Sequence, residues 1–254
     1  MQGLTEFLPV SSSGHLVFSE RLLHINRGDI VFEVMVHLGT LFAVFVYFRR
    51  QLIDMTISFF KLFSSDKTDD DKVNLKLIWF LILGTIPAAL FGYFLKDMIE
   101  LAFNSPRWTS GEFLVTGLVL IATIWAKDKD KAINAWNTVV IGVAQAIAIM
   151  PAISRSGSTI AAGMFLGVKK EKVAEFSFLL SIPAIAGAAV LELPNMIKLI
   201  PSISILQVYF VGTLVSGIVG YFSIAFLLAV IKKGKFFYFG LYCILIGILG
   251  LIFF

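Results

Sequence analysis

The sequence is poor in charge and in cysteine. Only 15% of its 254 residues are charged, whereas soluble domains usually carry about 25%. The single cysteine, Cys243, lies in an apolar run, which excludes a disulfide framework and a Cys-x-x-Cys metal site. The first residues, Met1 to Glu6, include no basic region, so no cleavable signal peptide is predicted. These absences argue against a disulfide-rich secreted domain and against an ordinary soluble protein.

Apolar length is what the sequence has instead. Hydrophobic residues make up 58% of the chain, with 25 phenylalanines and a mean hydropathy of +0.89. This composition is typical of membrane proteins, and the length suits several spans of about 20 residues. The net charge of +4 does not indicate a nucleic-acid partner, because the distribution of basic residues follows the predicted membrane topology. We predict membrane spans at about 31–48, 76–95, 112–126, 173–193, 205–231 and 236–254.

The longest predicted loop, 49–75, contains an acidic cluster. Lysines are interspersed with these acids, so we interpret the cluster as a solvated loop and not as a metal site. Its members are Asp66, Asp69, Asp70 and Asp71.

One polar stretch interrupts the apolar runs of the second half. It reads Pro151-Ala-Ile-Ser-Arg155-Ser-Gly-Ser-Thr159, and no charge lies in 138–149 or 160–167. An arginine at the centre of a membrane helix costs about 2.5–3.5 kcal/mol even on the mildest scale, so Arg155 indicates a polar site. The alternative is a Ser/Gly-rich linker between two helices, although its flanks are unusually apolar for one.

The same stretch predicts a broken helix with a phosphate site. Pro151 should break the helix that reaches it, because proline removes a backbone donor. A new helix should then begin, and its first amides, together with the guanidinium of Arg155, suit a phosphate. The candidates for its cap are Ser156, Ser158 and Thr159.

Lysine and arginine positions test whether 137–166 crosses the membrane, because cytoplasmic loops carry an excess of both. If the segment enters and returns, one side holds Arg49, Arg50, Lys61, Lys67, Lys72, Lys76, Lys127, Lys129, Lys131, Lys169, Lys170, Lys172, Lys232, Lys233 and Lys235. The other side holds only Arg21, Arg27, Lys96, Arg107 and Lys198. A full span would remove this bias. We therefore predict that 137–166 is re-entrant from the cytoplasmic side.

The chain also shows an internal repeat. The matched pairs are Pro9–Gly14 with Pro151–Gly157, Phe32–Gly39 with Phe176–Pro183, and Gly84-Thr85 with Gly212-Thr213. We predict a single all-α membrane domain over 1–254, with a first repeat at 1–127 and a second at 137–254. Each repeat has one re-entrant hairpin, 1–28 or 137–166, and three spans. Because three is odd, the repeats have opposite orientations, as in many transporters.

A pseudo-two-fold axis would bring the first hairpin toward Arg155. Gln2 and Glu6 lie four residues apart and should share a helix face. An unperturbed histidine titrates near pH 6.5, which suits proton transfer by His15. A serine beside a histidine can act as a nucleophile, and a carboxylate can orient the histidine or bind a cation. The residues that should face Arg155 are Glu6, Ser11, Ser12, Ser13 and His15.

Each of these residues also has a structural interpretation. His15 could serve only as a cap, and Glu6 could be an ion-pair partner of Arg155 without chemistry. Small hydroxyl residues also mediate close helix packing in membranes. His24 and His37 are isolated in the sequence, and we interpret both as structural.

Two motifs resemble the signatures of the bacitracin-resistance type of undecaprenyl-diphosphate phosphatase. They are Gln2-Gly-Leu-Thr-Glu6-Phe-Leu-Pro-Val-Ser-Ser-Ser-Gly-His15 and Pro151-Ala-Ile-Ser-Arg155-Ser-Gly-Ser-Thr159. The likeness runs through nearly the whole chain and includes Phe176–Pro183. It implies a multi-pass plasma-membrane hydrolase that removes the terminal phosphate of a polyprenyl diphosphate. This would recycle the carrier lipid for cell-envelope synthesis and confer bacitracin resistance, in a site open to the extracytoplasmic side.

The resemblance also implies residue roles. Catalysis would fall to Glu6, Ser12, His15 and Arg155. Phosphate binding would involve Arg155 with Ser11, Ser13, Ser154, Ser156 and Thr159. A divalent cation, Mg²⁺ or Ca²⁺, would be held by Gln2 and Glu6. Two positions depart from the family pattern: Gln2 replaces a glutamate that many members carry, and Ala152 replaces a common glycine. Family members also have a helix ahead of the first motif, whereas this sequence starts at the edge of that motif.

Other functions fit the same predicted fold. A secondary transporter or lipid flippase could use Arg155 to bind an anionic substrate at the midplane, because fold alone does not decide function. A structural scaffold would leave an intramembrane arginine unexplained. A transporter needs no candidate nucleophile, so the serines, His15 and Glu6 favour the enzyme. The sequence leaves a homodimer open.

Overall fold

In a computed structural model, the described residues are 1–22, 30–64, 66–103, 105–198 and 203–254. Within them the chain is helical, and the only extended pairing is an isolated bridge between Lys131 and Val168. The prediction of an all-α chain is therefore confirmed for this part of the protein. His24 and Arg27 lie outside the described residues, as does the end of the predicted hairpin 1–28.

Helices follow one another through the described residues. Those of the first half are α1 (Gln2–Thr5), α2 (Ser12–Leu22), α3 (Ile30–Tyr47), α4 (Arg49–Phe60), α5 (Asp69–Phe94), α6 (Lys96–Phe103) and α7 (Pro106–Ala122). A 3-10 turn, Thr123–Trp125, extends α7. Those of the second half are α8 (Ala135–Ile147), α9 (Arg155–Phe165), α10 (Lys170–Lys198), α11 (Ile203–Lys232) and α12 (Tyr238–Phe253).

The described helices identify a multi-pass membrane protein. Four of them, namely α5, α7 with its 3-10 turn, α10 and α11, are long and apolar enough to cross a bilayer. The pair α3 and α4, bent by 80°, is a fifth candidate, whereas α12 is apolar but shorter. Large apolar side chains such as Trp79, Phe222 and Leu245 face outward, while Thr138 and Gln145 are buried. Such an apolar exterior suits lipid and not water. The six predicted spans stay a prediction.

The region 49–75 differs from the loop that was predicted. Residues 49–60 form α4, and α5 already begins at Asp69. Thr68 and Asp71 form a reciprocal capping box, which explains why α5 starts in this acidic run. Asp71 is buried and accepts hydrogen bonds from Ser58 and Lys61 at 2.8 and 3.1 Å. The interpretation as a solvated loop is therefore wrong for α4 and for Asp71, although Asp66, Asp69 and Asp70 are exposed. The helix α6 was also not predicted.

The second predicted hairpin has the geometry of a helix–turn–helix that returns to its starting point. Helix α8 ends at Ile147, ahead of Pro151, and α9 follows a non-helical turn. The two outer ends meet, because the amide of Lys169 donates to the carbonyl of Lys131 at 3.4 Å. The amide of Lys129 likewise donates to the carbonyl of Gly167 at 3.2 Å. The segment therefore leaves and re-enters the same end of the molecule.

Each hairpin packs its first helix against a long helix of the other half. Helix α1 lies on α11 so closely that a Cβ on Gly3 would come within 2.4 Å of the Ser216 carbonyl oxygen. Helix α8 lies on α5, where a Cβ on Gly142 would come within 2.6 Å of the Gly84 carbonyl oxygen. This crossed packing brings the two non-helical turns together inside the protein. Buried phenylalanines line the junction, with Phe7 edge-on to Phe178 at 5.7 Å.

Candidate active site

The first non-helical turn, residues 6–11 between α1 and α2, gathers polar side chains around Glu6. Gln2 and Glu6 do share one face of α1, and Nε2 of Gln2 donates to Oε2 of Glu6 at 2.8 Å. The hydroxyl of Ser12 donates to the same oxygen at 2.8 Å. Ser11 adopts a left-handed backbone with φ of 62°, which is uncommon for a residue other than glycine. This conformation turns the chain from the residues after α1 into α2.

The second non-helical turn, residues 148–154 between α8 and α9, is followed by Arg155, the first residue of α9. Ser154 is the N-cap, because its backbone is extended and its hydroxyl accepts from the amide of Gly157 at 3.1 Å. The predicted caps, Ser156, Ser158 and Thr159, are therefore wrong. A cap must precede the first helical residue, and these three lie inside α9. Arg155 accordingly lies at the N-terminus of the new helix, as the sequence indicated.

Glu6 and Arg155 join the two turns. Nη2 of Arg155 donates to Oε1 of Glu6 at 2.6 Å, and both side chains are largely buried, with 16% and 9% of their surface exposed. Nη1 of Arg155 is buried and has no hydrogen-bond partner among the described residues. A buried donor of this kind needs an acceptor. The guanidinium can therefore bind an anion while it holds Glu6.

The other hydroxyls of the two motifs tie the turns to each other. Ser11 donates to the carbonyl of Pro151 at 2.7 Å, and Ser13 donates to the same oxygen. Ser156 donates to the carbonyl of Leu8 at 3.3 Å. Thr159 lies deeper and pairs with the Ser177 hydroxyl at 2.6 Å. Their predicted role as phosphate ligands stays a prediction, and their visible contacts are structural.

His15 lies beside the Glu6 network but is not hydrogen-bonded to it. Its Nδ1 is 2.7 Å from the carbonyl of Ser11, and its Nε2 is 2.7 Å from the hydroxyl of Tyr242. Because a carbonyl only accepts, Nδ1 carries the hydrogen, and Nε2 of the neutral ring accepts from Tyr242. The two rings are parallel, 5.7 Å apart. The expected serine–histidine pair is thus replaced by a serine–carboxylate pair, Ser12 with Glu6.

Two residues of the site were missed from sequence. His37 on α3 was interpreted as isolated and structural, but its Nε2 lies 3.7 Å from Oε2 of Glu6. Its Nδ1 is held by the carbonyl of Glu33 at 2.7 Å. Tyr242 lies near the start of α12, inside an apolar run. Only the fold places these residues near α1 and α2, because the repeat match at 32–39 does not single out His37 and no motif marks Tyr242.

The metal prediction concerns a single carboxylate. No group of three or more His, Cys, Asp and Glu side chains that could hold a metal ion occurs among the described residues. Glu6 and Gln2 lie together, and their role as metal ligands stays a prediction. The carboxylate oxygens of Glu6 are also bonded to Arg155 and Ser12.

Comparison with known proteins identifies the family of this chain. The family model described as bacitracin resistance protein BacA matches residues 1–249. The chain belongs to this family. Its relatives include proteins named undecaprenyl-diphosphatase from Desulforapulum autotrophicum, 39% identical over 99% of this chain and 94% of the relative, and from Elusimicrobium minutum, 39% identical with the same coverage. One from Korarchaeum cryptofilum is 38% identical over 98% of this chain and 94% of the relative.

In this member of the bacitracin resistance family, the two motifs singled out from sequence are the two buried turns. One motif supplies a carboxylate and a hydroxyl, and the other supplies a guanidinium and the N-terminus of a helix. A hydroxyl, a carboxylate and a guanidinium therefore lie within one network of hydrogen bonds. This combination suits phosphoryl transfer, in which positioning and charge stabilisation dominate catalysis.

Proposed function

We propose that the protein hydrolyses undecaprenyl diphosphate, or a closely similar polyprenyl diphosphate, to the monophosphate and phosphate. The observation that carries the proposal is the partly buried set of Ser12, Glu6 and Arg155, joined by contacts of 2.8 and 2.6 Å. The names of the relatives support the substrate. The reaction would return the carrier lipid to cell-envelope synthesis, and the family description connects it with bacitracin resistance.

Ser12 is the nucleophile in this proposal. Its hydroxyl already donates to Oε2 of Glu6, so the carboxylate takes the proton as Oγ attacks the terminal phosphorus. The bond from phosphorus to the bridging oxygen breaks, and the lipid monophosphate leaves as an anion. Arg155 stabilises the negative charge on the transferring oxygens through Nη1, which has no protein partner among the described residues.

Water then hydrolyses the phosphoserine. Glu6 passes its proton to the Ser12 oxygen as the phosphorus–oxygen bond breaks, and a base must take a proton from the attacking water. Nε2 of His15 is the candidate for that base, because it carries the lone pair of the neutral ring and the ring is held through Nδ1 by the carbonyl of Ser11. Tyr242 must release Nε2 before His15 can act on water. The second step therefore requires a side-chain movement that the first does not.

A divalent cation fits this site only as a partner shared with the substrate. Mg²⁺ is usually bound by one or two carboxylates together with substrate phosphates, and Glu6 and Gln2 supply one carboxylate and one amide oxygen. Ca²⁺ would require more oxygen ligands than these two residues provide. When bound, the ion would neutralise charge on the diphosphate. Gln2 and Glu6 are adjacent, but their 2.8 Å contact joins the amide nitrogen of Gln2 to the carboxylate, so the amide would have to turn over to present its oxygen to a cation bound by Glu6.

An inverted repeat with six spans and two re-entrant hairpins accounts for the contacts between the halves. Helix α1 packs on α11 and α8 packs on α5, which is the reciprocal relation that a pseudo-two-fold axis requires. The third spans behave in the same way. Thr116 of α7 donates to the carbonyl of Ala152 at 2.8 Å, and Sγ of Cys243 in α12 lies 3.6 Å from the carbonyl of Pro9.

The basic loops support a cytoplasmic location for one end. Nζ of Lys170 reaches the carbonyl of Lys232 at 3.4 Å, and Lys131 pairs with Val168. Three lysine-rich segments, 127–131, 169–172 and 232–235, therefore meet at one end of the molecule. The positive-inside rule places that end in the cytoplasm. We assign the protein to the plasma membrane, with the site opening to the opposite, extracytoplasmic side.

Turnover in detergent separates this enzyme from a transporter with the same fold. Purified wild-type protein should release phosphate from undecaprenyl diphosphate in micelles, because hydrolysis needs no second compartment. A chelator should lower the rate, and added Mg²⁺ should restore it. Protein that releases no phosphate but moves the lipid between vesicle leaflets would favour the transporter and would contradict the proposal.

A further inference from the structure

The turn before Arg155 exposes backbone groups that no helix satisfies. Helix α8 has ended at Ile147, and α9 begins only at Arg155. At membrane depth, such groups must find partners inside the protein. Two of them are covered by the first hairpin or by the turn itself: Ser11 and Ser13 donate to the carbonyl of Pro151, and the amide of Ile153 donates to Met150.

Three further groups of this turn are held by two side chains of α7. The hydroxyl of Thr116 donates to the carbonyl of Ala152 at 2.8 Å and accepts from the amide of Ser154 at 3.3 Å. One turn earlier on α7, Oε2 of Glu112 accepts from the amide of Ala152 at 3.1 Å. Both side chains belong to buried residues, with 3% and 6% exposure.

The position of Arg155 depends on the residue that these contacts fix. Thr116 holds the amide of Ser154, and the hydroxyl of Ser154 caps α9 through Gly157. Arg155 follows directly and reaches Glu6 at 2.6 Å. A shift of this turn would therefore move the guanidinium and the start of α9 together. Among the described contacts, Thr116 alone holds the carbonyl of Ala152 and Glu112 alone holds its amide.

We propose that Glu112 and Thr116 are positioning residues for the phosphatase site. They hold the second turn from behind, so that Arg155 lies against Glu6 with Nη1 directed at the substrate's phosphate. The inference rests on the proposed function for its effect on turnover, but the hydrogen bonds themselves can be tested without substrate. Glu112 is an intramembrane carboxylate with Oε1 unpartnered among the described residues, and this role explains its presence in α7.

The test compares four variants of α7 with the wild type. Thr116→Val keeps the shape and removes the hydroxyl, and Glu112→Met removes the acceptor. Glu112→Gln keeps an acceptor oxygen. The matched control is Thr109→Val, because Thr109 is equally buried but donates only to the carbonyl of Ser105 within the turn that begins α7. All are purified in detergent and measured by phosphate release and by hydrogen exchange of residues 150–156.

Thr116→Val and Glu112→Met should lower kcat by about tenfold to a hundredfold, the loss expected when a catalytic group is misplaced. Amide exchange in 150–156 should become faster in both. Glu112→Gln should keep a third or more of wild-type turnover, and Thr109→Val should match the wild type in both measurements. In an Arg155→Lys background, Thr116→Val should add little further loss, because it acts through the same arginine.

Several results would overturn the inference. If Thr116→Val behaves like Thr109→Val in hydrogen exchange and in turnover, the hydrogen-bond bridge from Thr116 to Ala152 and Ser154 is unimportant. Full additivity with Arg155→Lys would mean that Thr116 acts elsewhere. If Thr116→Val fails to fold, Thr116→Ser decides, because it keeps the hydroxyl; a loss there would show that packing and not the bridge matters. Wild-type protein without turnover would contradict the proposed function, while exchange would still decide this inference.

Discussion

Nη2 of Arg155 lies 2.6 Å from Oε1 of Glu6, although 149 positions separate the two residues in sequence. Glu6 lies in one non-helical turn and Arg155 directly follows the other, so the ion pair forms only when both hairpins are in place. Removing one partner of a buried pair typically costs about 3–5 kcal/mol, since a charge is left uncompensated. The pair is therefore both a structural link between the halves and the centre of the proposed site.

Replacing Arg155 by lysine should abolish most turnover despite the retained charge. The guanidinium contacts Glu6 through Nη2 and leaves Nη1 for the substrate, whereas an ammonium is a single point charge. The expected loss in kcat is about 10²-fold or more, as for one oxyanion-stabilising donor. Arg49→Lys is the control, because Arg49 is exposed and its described hydrogen bond goes to the nearby backbone carbonyl of Val46. Comparable activity in the two variants would contradict the assignment.

His37 should contribute modestly through Glu6. Its Nε2 is 3.7 Å from the carboxylate, and the side chain is 37% exposed, which limits the strength of the contact. His37→Leu should lower kcat by about threefold to tenfold, and His37→Gln, whose amide can still donate toward Glu6, should lose less. Phosphate-release kinetics of both variants provide the measurement. Wild-type rates in His37→Leu would return this histidine to a purely structural interpretation.

Tyr242 should affect turnover through His15. Its hydroxyl is the only described partner of Nε2, at 2.7 Å, and removing it leaves the His15 ring held through Nδ1 alone. We expect Tyr242→Phe to lower kcat by about tenfold, a loss at the lower end for a disturbed acid–base group, while KM stays nearly unchanged. Tyr238→Phe on the same helix is the matched control. A rise in KM with kcat unchanged would assign Tyr242 to lipid binding.

The topology can be tested with single cysteines in a Cys243→Ser background. We expect cysteines at Asp128 and Lys172 to be protected from a membrane-impermeant thiol reagent added outside intact cells. A cysteine at Arg107 should react, because it lies on the opposite side in the inverted-repeat arrangement. Permeabilised cells provide the labelling control. Labelling of Lys172→Cys but not of Asp128→Cys in intact cells would mean that 137–166 crosses the membrane fully.

The broken turns were the most predictable part of the protein. Charge scarcity around Arg155 and the position of Pro151 indicated a buried polar turn, and the structure places it against Glu6. The approach of Glu6 to Arg155 was expected from the predicted repeat, and their 2.6 Å contact is observed. The all-helical character followed from the long apolar runs.

Other features depend on contacts that no local pattern reports. Ser154 was missed as the cap because the motif offers several hydroxyls, and only the backbone shows which one precedes the helix. His37, Tyr242, Glu112 and Thr116 lie singly in apolar helices, where spacing carries no signal about a distant turn. Helix α4 was not predicted because the arginines at its start are typical of a loop. Only the structure shows that the chain continues as a helix after a bend of 80°.

The most direct test of the account is the turnover of Ser12→Ala, because Ser12 donates to Glu6 at 2.8 Å and is assigned as the nucleophile. Phosphate release from undecaprenyl diphosphate is measured with purified protein in detergent, alongside lipid binding by the same samples. The account predicts that turnover falls by about 10³-fold or more while lipid binding is retained. If Ser12→Ala keeps a tenth or more of the wild-type rate, Ser12 is only a phosphate ligand and the proposed covalent step is wrong.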